Sequence, residues 1–96
     1  MLKYKKIKIG KKIVEGICLH LASKNLIVIR AKRGYIMCGY LNMKVARMFK
    51  DVAIKVKGVS NISDVLKAKV SDLTLEAKKL GIYKNQPIKD VLKLIA

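Results

Sequence analysis

The sequence predicts an α+β domain: a mainly antiparallel sheet, built from an N-terminal four-strand meander plus one or two later strands, packed with three to four short helices. Three observations predict it. The first 41 residues read as strands, alternating over Ile13 to Leu21 and with short apolar runs at Leu26–Ile29 and Tyr35–Cys38, and from Asn42 onward apolar residues recur at helical spacing. A chain of 96 residues with 52% hydrophobic content is long enough for one core and too short for two. That content excludes disorder, the length excludes a multidomain enzyme, and the whole of 1–96 reads as a single domain.

The elements follow in order. Lys3 to Ile9 is a lysine-rich strand, and Gly10-Lys11 turns it into a second strand in which Ile13, Glu15, Ile17, Leu19 and Leu21 face one way and Val14, Gly16, Cys18 and His20 the other. Ser23-Lys24-Asn25 and Lys32-Arg33-Gly34 read as three-residue links to the strands Leu26–Ile29 and Tyr35–Cys38. Asn42 then caps a short helix whose apolar stripe is Val45, Met48, Phe49 and Val52. A strand from Val52 to Val56 stops at Gly58, and Asn61 caps a helix burying Ile62, Val65 and Leu66, with Asp64 as the reciprocal cap partner. Val70 to Leu73 reads as a short strand, Thr74 caps a helix ended by Gly81-Ile82, and Pro87 opens a last helix with the stripe Ile88, Val91, Leu92, Ile95.

Charge is the compositional outlier. Lys and Arg number 22 against 6 acids, a net +16, and it is concentrated: residues 1–50 carry 13 basic residues against Glu15 alone. Such a field attracts nucleic acid, anionic lipid or phosphorylated ligands and favours solubility. However, 19 of the 22 cations are lysine, a hydrated point charge, whereas base and phosphate recognition favours the arginine fork. Lysine enrichment is also a thermophile-like composition. No leader-like stretch opens the chain and no apolar run nears the roughly 20 residues of a membrane helix, so a cytoplasmic protein that does not enter the membrane is expected, with Cys18 and Cys38 reduced.

The string Gly34-Tyr35-Ile36-Met37-Cys38-Gly39-Tyr40-Leu41-Asn42 resembles the central motif of the YunC-like family, a small archaeal and bacterial domain of unknown function. Asn25 to Ile29, Gly58-Val59, Leu66 to Val70 and Ala77 to Ile82 resemble family segments in the same order. The resemblance implies an α+β fold over most of the chain and no assigned activity. It also implies that the charge belongs to this protein, because the family includes acidic and neutral members.

With Ala22 opposite Leu26 and Ala31 opposite Tyr35, one sheet face would hold Ile17, Leu19, Leu21, Ile27, Ile29 and Met37 as the core. The other would hold Cys18, His20, Val28, Arg30, Ile36, Cys38 and Tyr40. Cys38, before Gly39 and a helix start, is placed where a thiolate nucleophile or redox centre would be favoured, or else is a buried small hydrophobe. His20 as its base would lie roughly 9.5 Å away across one strand, too far for a direct hydrogen bond. Gly39-Tyr40-Leu41-Asn42 is a strand-to-helix turn that can offer backbone N–H groups to an anion, or simply a bulge and a cap. One His and two Cys do not make a zinc set, and no cofactor is predicted.

The leading expectation is therefore a binding or accessory domain that takes an anionic small molecule through Tyr35, Gly39, Tyr40, Asn42 and Arg30. The alternatives are a small enzyme using Cys38, with His20 in attendance, and an RNA-associated basic protein. A homo-oligomer and nonspecific nucleic-acid binding through charge are the expected partners.

Overall fold

The structure is a computed structural model that describes residues 2–38 and 43–96. One sheet runs in the order β1 (Leu2–Ile9), β2 (Lys12–Leu21), β3 (Lys24–Arg30), β4 (Tyr35–Met37), β5 (Ala53–Lys55), β6 (Asp72–Leu73), so strand order equals chain order. All pairs are antiparallel except β4 with β5, which are parallel and are bridged by the crossover containing α1 (Met43–Met48). The other helices of the described residues are α2 (Ile62–Lys67), α3 (Leu75–Lys79) and α4 (Ile88–Ile95). The fold is α+β.

Turns and caps follow their residue chemistry. Gly10 at φ 61° makes the first hairpin, and Gly81 at φ 93° ends α3, with the Ile82 N–H returning to the Ala77 carbonyl. Asn61 accepts from the Asp64 N–H at 2.8 Å, while the Asp64 carboxylate reaches one residue further back, to the Ser60 N–H at 3.0 Å. Pro87 is the cap of α4 rather than its first turn. The α4 stripe Ile88, Val91, Leu92 and Ile95 is fully buried against the sheet, each side chain contributing roughly 2 kcal/mol of transfer free energy.

The meander register departs from expectation. Leu19, not Ala22, stands opposite Leu26, because the β2–β3 connection is the two residues Ala22-Ser23, with Ala22 at φ 33°. Arg30, not Ala31, stands opposite Tyr35. Both offsets are odd, and an odd offset exchanges the faces of neighbouring strands. The buried face carries the rows Lys5, Gly16, Ile29, Ile36, Ile54 and Lys3, Cys18, Ile27, with α2, α3 and α4 packed on it. Ile17, Leu19 and Leu21 lie on the opposite face. The larger side chains of β2 thus point away from the main core, and Gly16 leaves room for Ile62, whose Cδ1 would lie 3.1 Å from an added Cβ.

Helix α1 covers only part of that opposite face. Met43 and Ala46 pack on Met37, Ala53 and Tyr35. The expected stripe is corrected: Val45, Met48 and Phe49 are 46, 73 and 73% exposed, because a small alanine and a flexible methionine suit the close approach to Ala53. The cap assigned to Asn42 lies outside the described residues.

Candidate functional site

Where the meander ends, lysines occupy core-face positions that no helix covers. Lys3 and Lys5 precede Ile7 on the same face of β1, and on β2 and β3 the row beyond Cys18 and Ile27 is His20 opposite Asn25. Two adjoining clefts open there. One, of about 770 Å³, is lined by Lys3, Lys5, Cys18, His20, Asn25, Asn61 and Ser63, among others. The second, of about 570 Å³, is lined by His20, Ser23, Lys24, Asn25, Cys38, Gly58, Val59 and Ser60.

Asn25 is the shared wall. Its Nδ2 donates to the Ser60 carbonyl at 2.7 Å, tying β3 to the loop before α2, which leaves its Oδ1 toward His20 Nδ1. In neutral His20 that geometry makes Nδ1 the donor and Nε2 the acceptor. Sequence reasoning passed over Asn25 as a turn residue; its alternation with Ile27 and Ile29 on one face was the available signal. Among the described residues, no Asp or Glu lines either cleft, and the nearby Asp64 carboxylate is held by the Ser60 N–H.

Cys38 sits at the floor of the second cleft, 4% exposed, its thiol accepting from the Ile27 N–H at 3.3 Å and directed at the Asn25 carbonyl at 3.8 Å. Both contacts use backbone groups of β3. His20 and Cys38 therefore share a face and a cleft, with Asn25 between them.

Arg30 and Tyr35 are elsewhere. They are partners across β3 and β4 on the opposite face, and the sheet separates them from His20 and Cys38. Arg30 pairs with Glu15, whose other oxygen accepts from the Tyr4 hydroxyl; that hydroxyl and the guanidinium hold the Glu15 carboxyl below its ordinary value. The Tyr35 hydroxyl donates to Asp51 at 2.8 Å, and burial together with this carboxylate pushes its pKa up to about 12. Gly39, Tyr40 and Asn42 lie outside the described residues. Among the described residues, no group of three His, Cys, Asp or Glu side chains is gathered for a metal, and no helix is long and apolar enough to cross a membrane.

Residues 37–95 match a family described as a domain of unknown function (DUF1805). The crystal structure of TA1206, a protein of unknown function from Thermoplasma acidophilum, superposes with a TM-score of 0.95 at 34% sequence identity, covering 100% of this chain and 94% of that one. No curated protein matches the chain. The likeness to TA1206 includes the N-terminal meander that precedes the family match. With well over half its length inside that match, this chain belongs to the DUF1805 family of domains of unknown function.

Proposed function

We propose that this domain is a binding or accessory module of the YunC-like type that takes an anionic small molecule in the paired clefts at His20 and Asn25. The observation that carries the reading is the lining: Lys3, Lys5, Lys24 and His20 converge on a groove without a carboxylate. Cations beside amide and hydroxyl donors (Asn25, Asn61, Ser63) are what a phosphate or carboxylate group needs. The main-chain atoms of Asn25 and Ile27 engage Cys38, so the thiol serves as a wall of the pocket in this reading.

The test is a titration with inorganic phosphate, a nucleoside monophosphate and a dicarboxylate, followed by amide shifts at about 150 mM salt. Shifts confined to residues 3–5, 18–25 and 58–63, weakened about tenfold by Lys5→Gln or Asn25→Ala, are expected. Shifts spread over all lysines and abolished by salt would reduce the binding to counterion release. Thiol modification separates the enzymatic alternative: Cys38 should react as slowly as a buried thiol, and rapid reaction at neutral pH would move the assignment to a nucleophile.

A further inference from the structure

The meander's second face lies apart from the clefts except at Tyr4, which borders the first of them. Two rows crossing β1, β2 and β3 are wholly apolar: Leu2, Leu19 and Leu26, then Tyr4, Ile17 and Val28. Leu2, Tyr4 and Leu21 are 63, 52 and 37% exposed, and Ile13, further along β2, is 61% exposed. Helix α1 stops over β4 and β5 and leaves these rows open. The next row is Lys6, Glu15 and Arg30, and here the chain places the single acid of its first 50 residues, with Arg30 and Tyr4 bonded to its carboxylate and Lys6 directly opposite.

We propose that this face binds a second copy of the chain, sheet against sheet. Three arguments select that occupant. Copies at +16 repel one another, so contact between them must fall where charge is matched from within, and Glu15 does that matching at the edge of the apolar rows. An acidic partner, by contrast, would be drawn to the lysines of the remaining surface. The patch is also suited to a two-fold contact, in which the same rows meet themselves in an aligned sandwich about 10 Å thick. The whole face of three strands of about eight residues, its charged row included, covers roughly 26 by 14 Å before side-chain relief, small for an interface, so association is concentration-dependent.

Sedimentation equilibrium of the full chain, from about 10 μM to about 1 mM, should show a species rising toward twice 10.8 kDa. Ile17→Lys should weaken association about thirty-fold or more while leaving the far-UV spectrum intact. Glu15→Gln should weaken it in a salt-dependent way, and Leu75→Ser, which alters a 61% exposed side chain on α3, should leave it unchanged. If Ile17→Lys does not fold, concentration-dependent amide shifts of the unaltered chain decide: shifts confined to β1–β3 uphold the interface and shifts elsewhere overturn it. A monomer at about 1 mM overturns it too, as does a dimer indifferent to both Ile17→Lys and Val28→Lys, or a face that becomes protected only when lipid vesicles are added.

Discussion

Gly34 shows how one residue can be constrained by its neighbours' backbone. A Cβ there would meet the Val52 carbonyl oxygen at 2.4 Å and Val52 Cγ1 at 2.7 Å, where β4 enters the parallel pair with β5. Because the obstacle is main chain, Gly34→Ala should cost about 3 kcal/mol in urea unfolding. Gly16→Ala meets only the flexible ends of Ile62 and Ile7 at 3.1 to 3.3 Å, so its cost should be smaller. Beside it, Tyr35 provides a spectroscopic marker. Its folded pKa, pushed up to about 12 by burial and then by the Asp51 carboxylate, exceeds that of a free tyrosine, so the protonated phenol contributes stability that is complete below about pH 10 and lost as pH rises through about 12. Phenolate absorbance should show a component ionising near 12 that Tyr35→Phe removes. At this scale, composition revealed the chemistry-bearing side chains but not their company. Cys38 and His20 share a cleft, while Arg30 and Tyr35 face the other way, because each assignment hung on a register that alternation alone does not determine.

Among the elements, caps were the legible part and faces the illegible one. Asn61 and Thr74 announce α2 and α3 by residue type and both cap as expected. Thr74 does more than cap. Its fully buried hydroxyl accepts from the Ala77 and Ala53 N–H groups at 3.3 and 3.2 Å and donates to the Asp51 carbonyl at 2.7 Å, joining α3 to β5. Thr74→Ala should therefore cost about 2 to 3 kcal/mol, more than a surface cap, and Thr74→Ser should recover most of it; thermal unfolding distinguishes the two. The faces of β2 and α1 depart from expectation for one reason. Hydrophobic size does not mark the core here: Gly16, Cys18 and Ala46 lie inward while Ile13, Met48 and Phe49 lie outward. Close packing of helix on sheet rewards small residues, and an outward apolar face leaves the same signature as an inward one.

For the whole molecule, the change of apolar spacing at Asn42 gave the fold class correctly, and the excess charge now has a location. Eight Lys and Arg side chains lie on β1, β2 and β3 and in the turn between β1 and β2, within residues 3–24 and 30, where their mutual repulsion opposes compaction. Raising NaCl from about 0.05 to about 0.5 M should accordingly raise the melting temperature by several degrees, measurable by calorimetry, and a fall would show that specific ion pairs outweigh repulsion. The identity of strand order and chain order has a kinetic consequence. Each strand pairs with the one made just before it, so β1 to β4 can zip up with short loop closures and little entropic cost, while β5 and β6 join after the longer connections that hold α1 and α2. The far end returns only later: the Ile95 carbonyl accepts from the Arg33 N–H at 2.8 Å, and the Ala96 carbonyl from the Lys12 ammonium at 3.2 Å. During synthesis the meander is complete while its apolar underside still waits for α4, and the nascent chain passes through an interval in which both sides of its sheet are bare.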